Sequence, residues 1–128
     1  MARNQSRNGG GKRYPRSARV GETLREIIAE DLVRFDDERL AFVTVTGIDV
    51  DPELNRAIVF FDSLAGEDGD EEIIEALAEY RIRLQSSVAK QIRAKKTPIL
   101  EFKPDMAIRS AERIDEILRA DRERHGKS

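Results

Sequence analysis

The chain holds no cysteine, no tryptophan and a single histidine, and each shortage removes a class of chemistry. Without cysteine there is no disulfide, no thiol nucleophile and no thiolate-bound zinc, which agrees with a reducing compartment. His125 sits among Arg122, Glu123, Arg124 and Lys127, where nothing holds it against a substrate or a metal, so histidine-dependent acid–base catalysis is not expected. Long apolar runs are also missing. No stretch approaches the roughly 20 consecutive apolar residues that cross a bilayer, and residues 1–20 contain no apolar block of the signal-peptide type. A cytoplasmic protein with no membrane partner is therefore expected. Aromatics are limited to two Tyr and five Phe, most of them at core spacings, which leaves no surplus for stacking on unpaired bases.

Motifs for catalysis or cofactor binding are equally scarce. Gly9, Gly10, Gly11 and Lys12 lack the earlier glycine of a phosphate-binding loop, and Arg13 stands where that loop needs Ser or Thr. Glu67, Asp68, Asp70, Glu71 and Glu72 lack the alternating ligand order and closing Glu of a calcium loop. Ser63, Ser86 and Ser87 have no nucleophile-elbow setting. The expectation is a protein that is not an enzyme, with no cofactor, no metal and no small-molecule substrate.

What the chain has in abundance is charge. Charged residues make up 38% of its 128 residues, against about 25% in ordinary soluble domains, and the net charge is only −2. The signs are sorted along the chain. Residues 1–20 carry Arg3, Arg7, Lys12, Arg13, Arg16 and Arg19 without an acid, and residues 81–96 carry Arg81, Arg83, Lys90, Arg93, Lys95 and Lys96 without an acid. Between them, eight acids fall from Asp62 to Glu79 with no intervening base. Such sorting points to a basic face for polyphosphate and an acidic remainder that limits indiscriminate binding.

Length allows one domain. Residues 1–15, rich in Arg, Asn and Gly, cannot bury enough surface to offset the entropy of ordering and are expected to be a disordered basic arm. From Ser17, a candidate N-cap, apolar residues at Val20, Leu24, Ile27, Ile28, Leu32 and Phe35 predict a helix. Leu40 to Val50 reads as a strand whose apolar phase slips at Gly47, the signature of a bulge. Asp51, Pro52 and Asn55 supply a turn, and Arg56 to Ser63 a second strand, which closes a hairpin.

A long helix follows from Asp70 as N-cap, with a stripe through Ile73, Leu77, Tyr80, Leu84, Val88 and Ile92. Ile82 lies roughly opposite Ile73 at about 100° per residue, so either it is exposed or the helix bends beside it. Pro98 ends the helix, Ile99 to Lys103 forms a short strand, and Asp105 or Ser110 caps a last helix carrying Ile108, Ala111, Ile114, Ile117 and Leu118. The domain is placed at residues 16–120, with a charged flexible tail at 121–128. An α+β fold results, in which a three-stranded sheet is covered by helices, each through its one apolar face.

With no active site in prospect, binding remains. Arg81, Arg83, Lys90, Arg93, Lys95 and Lys96 place six cations on about four turns, of which Arg83, Lys90 and the Arg93 to Lys96 turn can project away from the Leu84, Val88, Ile92 stripe, with Gln85, Ser86, Ser87 and Gln91 as further donors to phosphate oxygens and Arg16 and Arg19 beside the basic arm. Recognition through RNA backbone and shape is expected.

The ordered set of Arg19-Val20, the strand Val43-Thr44-Val45-Thr46, the return strand Ala57 to Phe61, the acid-to-base helix, and Arg93 through Pro98, Leu100, Phe102 and Asp105 resembles the bacterial ribosome-binding factor A family over about residues 16–119. The resemblance implies a KH-like (type II) αββααβ domain. It also implies a monomeric assembly factor that binds the 30S subunit and its 16S rRNA late in maturation and supports processing of the rRNA precursor. KH domains generally grip nucleic acid with a Gly-x-x-Gly loop, which this chain lacks. The family carries an Ala-x-Gly break between its two helices, where this chain has Tyr80-Arg81-Ile82, so a kink is expected at those three residues. A competing reading of the same charges is a protein-binding adaptor that docks a basic partner on the acidic segment 62–79.

Overall fold

Helix α1 (Arg16–Arg34) forms where the apolar spacing places it, in a computed structural model that describes residues 16–92 and 96–126. Ser17 lies inside its first turn and is not its N-cap. The basic arm, residues 1–15, lies outside the described residues. Leu24, Ile27, Ile28 and Leu32 are buried along one face of α1, and Gly21 lets that face close on the sheet. A Cβ at Gly21 would already touch Val50 at 3.4 Å. A short 3-10 turn (Glu38–Leu40) follows, capped by the Asp37 side chain, which accepts from the Arg39 N–H at 2.9 Å.

Three strands form a mixed sheet in the order β1-β2-β3. β1 (Val43–Val50) and β2 (Arg56–Ser63) pair antiparallel, while β2 and β3 (Ile99–Pro104) pair parallel. The register shifts between Val45 and Gly47, leaving Thr46 as the extra residue of a bulge. This shift resolves the phase slip in the sequence, since Val43 and Val45 before it and Ile48 and Val50 after it all pack on the same core. In the hairpin turn the Leu54 N–H reaches the Asp51 carbonyl at 2.8 Å and the Asn55 N–H reaches the Asp51 carboxylate at 3.2 Å.

The expected long helix is two helices, α2 (Asp70–Glu79) and α3 (Arg81–Gln91), separated at Tyr80, whose φ of −91° and ψ of 0° lie in the bridge region. Their apolar stripes join that of α1 over one face of the sheet. Leu24 and Ile28 of α1, Leu77 of α2 and Leu84 and Val88 of α3 share a core with Ala57, Val59 and Phe61 of β2 and Leu100 of β3. The observed order is thus αββααβ with a further C-terminal helix.

Local departures from the sequence reading have identifiable causes. Asp70 does not cap α2; Gly69 occupies that position, and the Asp70 carboxylate instead holds both terminal nitrogens of Arg109 at 2.8 and 2.9 Å. Helix α3 stops at Gln91 rather than running to Pro98, because Ile92 is already extended. Gln85 ties the following segment down, donating to the Pro98 carbonyl at 2.7 Å and accepting from the Leu100 N–H at 3.2 Å.

The largest departure is the last helix, α4 (Met106–Gly126), which takes in the first residues of the stretch expected as a tail. Asp105 caps it through the Ile108 N–H at 3.2 Å. Its stripe does not cover the sheet: Ile114, Ile117 and Leu118 are each more than half exposed. The reason is rotational. Arg109, only 5% exposed, donates to Asp62 at 2.7 Å and to Asp70, and Arg113 pairs with Glu67. These contacts fix which side of α4 meets the body, and the stripe lies roughly 80 to 180° round the helix from Arg109.

Candidate nucleic-acid interface

The helix break is held by side chains from three elements. Tyr80 stacks on Phe35, which follows α1, with ring centroids 4.1 Å apart and planes 7° from parallel. Its hydroxyl donates to Asp37 at 3.0 Å. Asp37 also accepts from the Arg39 backbone N–H, from Nε at 3.1 Å and from a terminal guanidinium nitrogen at 2.8 Å. Arg39 in turn grips Glu79, the last residue of α2, with both terminal nitrogens at 2.9 and 2.8 Å. The last residue of α2 and the break residue itself are therefore pinned to the same short segment between α1 and β1.

These contacts shift the groups as charge pairing requires. Hydrogen bonds from Arg39, through its side chain and its backbone, hold the Asp37 carboxyl well below the usual carboxylate range, and Tyr80 adds to the effect. Arg39 likewise lowers Glu79. Glu79 and then Asp37 raise Arg39. Donation to Asp37, followed by burial, raises the Tyr80 phenol.

Just beyond the break, the Arg83 guanidinium lies over both rings, 4.8 Å from the Phe35 centroid and 5.5 Å from that of Tyr80. Arg83 and Lys90 share one face of α3, seven residues or roughly 10 Å apart along the axis, and point away from buried Leu84 and Val88. Arg81 is exposed but lies nearly opposite that ridge at about 100° per residue, so it is not part of it. Lys96 is past the end of the helix, where its ammonium donates to the Asn55 side chain at 2.6 Å. Arg93 and Lys95 lie outside the described residues. Arg16 and Arg19 are exposed at the far end of α1; Arg19 is roughly 24 Å along the axis from Phe35 and is not brought to Arg83. Of the neutral donors, Gln85 is turned onto Pro98 and Leu100, and Gln91 donates to Ser87 at 2.9 Å, leaving Ser86 exposed on the basic side.

Charge pairing sorts the described cations, and Arg25, Lys103 and Arg122 fall on the unpaired side together with these. Among the described residues, carboxylates are taken by Arg34, Arg39, Arg56, Arg109, Arg113, Arg119 and Arg124. Arg81, Arg83, Lys90, Lys96, Arg16 and Arg19 take none. The acidic run is engaged internally instead: Asp62 and Asp70 by Arg109, Glu67 by Arg113 and Glu79 by Arg39. A cleft beside α4 is lined by Asp62, Glu112, Asp115 and Glu116 with Arg119, an arrangement that repels phosphate. Among the described residues there is no group of three His, Asp or Glu side chains placed to hold a metal ion, and no helix long and apolar enough to cross a membrane.

Sequence reasoning found the cations and missed the clamp. Phe35 reads as part of the apolar stripe of α1, and Asp37 and Arg39 carry no local signal. The one available signal was the anomalous phase at Ile82, which marked where the helix gives way. Ile82 is itself 83% exposed, so the chain shows both a break and an outward Ile82.

Comparison with known proteins bears on the fold as a whole. Residues 16–118 match the family model described as ribosome-binding factor A. A ribosome-binding factor A of Rubrobacter xylanophilus is 40% identical over 105 residues, 81% of this chain and 85% of that one. The crystal structure of ribosome-binding factor A from Thermus thermophilus superposes with a TM-score of 0.62 at 26% identity, covering 69% of this chain and 94% of that one. A homology model of the Thermus thermophilus factor, fitted into a cryo-EM map of its complex with the 30S subunit, superposes at 0.57 and 26% identity over 68% of this chain and 92% of that one. With the family model spanning the sheet, the broken helix pair and the start of α4, the chain belongs to the ribosome-binding factor A family.

Proposed function

We propose that this protein is a non-catalytic, monomeric assembly factor of the cytoplasm that binds the immature 30S subunit through 16S rRNA phosphates. Residues 16–120 act as its KH-like RNA-binding domain. Arg83 and Lys90 form the central contact, Lys96, Arg93 and Lys95 extend it past the end of α3, and Arg81, Arg16, Arg19 and the basic arm add flanking charge. The observation that carries this reading is that, among the described residues, the α3 cations take no carboxylate, although acids outnumber bases in the chain. A cation left unpaired on an exposed ridge keeps its Coulomb energy for an external polyanion.

Support for rRNA precursor processing is then indirect: binding one conformation of the immature RNA raises its population, and nucleases act on what that conformation exposes. The adaptor reading on residues 62–79 is weakened, since four of the eight acids there already hold arginines of the same chain.

Co-sedimentation with purified small subunits tests the reading. Joint Lys95→Glu and Lys96→Glu replacement abolishes association while the circular dichroism spectrum stays unchanged. Undiminished co-sedimentation of that variant rejects it. Ribonuclease treatment before pull-down separates the two classes, because an adaptor retains its partner and an RNA binder loses it.

A further inference from the structure

Of Arg83 and Lys90, the two described cations on the α3 ridge, Arg83 is the one whose side chain lies against an aromatic pair. An arginine on a helix surface loses about 2 kcal/mol of rotamer freedom when a ligand fixes it, and that loss comes out of the binding energy. Here the guanidinium already lies over the Phe35 and Tyr80 rings at 4.8 and 5.5 Å. With its carbon within 5.5 Å of both ring centroids the guanidinium is confined beside the stacked pair, and it makes no ion pair among the described residues, so its N–H groups remain free to donate to two anionic oxygens.

The rings are themselves fixed. They stack 4.1 Å apart, and the Tyr80 hydroxyl is tied to Asp37 at 3.0 Å. Asp37, the carboxylate that holds the Tyr80 hydroxyl, is engaged by Arg39 through both of its oxygens and makes no ion pair with Arg83. The Glu79–Arg39–Asp37–Tyr80 chain therefore does two things: it orients the aromatic platform and it keeps the nearby negative charge occupied.

We infer that Phe35 and Tyr80 are positioning residues that hold Arg83 ready for a phosphodiester group of the bound RNA. The inference rests on the function proposed above and adds to it a reason for an arginine at 83 and for a tyrosine at the helix break. Neither aromatic needs to touch RNA.

A double-mutant cycle on the full chain, read as affinity for purified small subunits at fixed salt, tests it. Arg83→Ala weakens binding about tenfold, the size of one charge-assisted contact. Arg83→Lys, although it keeps the charge, recovers only a minor part of that loss, since an ammonium neither stacks nor forks. Phe35→Leu keeps apolar bulk and weakens binding about threefold when Arg83 is present, the size of an exposed cation–π contact, and has almost no effect on top of Arg83→Ala. Tyr80→Leu behaves as Phe35→Leu does. If it fails to fold by circular dichroism, Tyr80→Phe, which loses only the Asp37 anchor, replaces it and shows a smaller loss that again vanishes without Arg83.

The inference is overturned if Phe35→Leu and the Tyr80 variants leave affinity unchanged, or lower it equally with and without Arg83, while Arg83→Ala weakens binding; the proposed function then stands. It is also overturned if Arg83→Ala is silent while Lys90→Ala and Lys96→Ala weaken binding. If all three cation replacements are silent, the proposed function itself falls, and the inference with it.

Discussion

The hydroxyl of Thr46, the residue that the bulge leaves out of register, donates to the carboxylate of Asp105 at 2.6 Å. Asp105 in turn caps α4 through the Ile108 N–H, and its own N–H reaches the Phe61 carbonyl at 2.8 Å. A defect in one edge strand is thereby joined to the start of a helix that follows the other edge strand. The bulge re-aims one side chain, and that side chain anchors a cap.

Thr46→Val keeps the shape of the side chain and removes the hydrogen bond. It is expected to lower stability by about 1 kcal/mol in urea denaturation, with the m-value unchanged. Asp105→Ala loses the cap as well, so the double variant is little worse than Asp105→Ala alone. Fully additive losses rule out the link.

Acid is expected to destabilise the fold. Hydrogen bonds from Thr46 hold Asp105 below the ordinary carboxylate range, and Arg39 does the same for Asp37 and Glu79. In each case the folded-state pKa is depressed, so the stabilisation is complete above the unfolded value near 4 and fades as pH falls through and below it. Melting temperature should therefore hold level from neutral pH to about 5 and drop below about 4, with a shallower drop in Asp37→Asn. A melting temperature that rises on acidification contradicts these contacts.

Removing Arg109 is expected to be the most damaging single change outside the core. Arg109→Ala strands Asp62 and Asp70, both less than one-fifth exposed, and should cost about 3 kcal/mol in chemical denaturation. Arg109→Lys keeps the charge without the fork and should recover less than half of that. A loss below about 0.5 kcal/mol, the range of an ordinary surface change, counts against the pairing.

The outward stripe of α4 gives the opposite expectation. Replacing Ile114, Ile117 and Leu118 together by Ser should change stability by less than about 0.5 kcal/mol, because these side chains are exposed in the native chain as they are in the unfolded one. Leu84→Ala, at a fully buried site, should cost about 2–5 kcal/mol. A large loss in the triple variant means that the stripe is covered in solution.

Binding to small subunits should weaken steeply with salt through counterion release. Each of Arg83→Ala, Lys90→Ala and Lys96→Ala should lower the slope of log affinity against log salt by about one. Filter binding between low and physiological salt measures this. A slope that none of the three alters removes these residues from the contact.

The order of elements was legible in the sequence because periodicity is a local property. A strand alternates and a helix repeats every 3.6 residues whatever they pack against, so the buried stripe of Leu24, Ile28, Leu84 and Val88 was legible, while the fold chose Val59 and Phe61 over Ile58 and Phe60 as the inward set of β2. The bulge was legible for the same reason, since a one-residue slip at Gly47 reverses parity. The sorting of charge and the basic run after Tyr80 were likewise plain from residue order.

Which charges are satisfied and which remain open follows from the docking of the elements alone. Arg109 meets Asp62 and Asp70 across 47 and 39 residues, and Arg39 meets Glu79 across 40. No local rule selects those partners, because ion pairing depends on distance in space, and distance in space follows from how helices and strands dock. The same docking turns the stripe of α4 outward against its own periodicity. It also brings Phe35 and Tyr80 under Arg83. Residue order alone yields α, β, β, a long helix, β and α with a cationic run, whereas docking splits that helix at Tyr80, sets Arg83 against the aromatic pair and occupies the carboxylates.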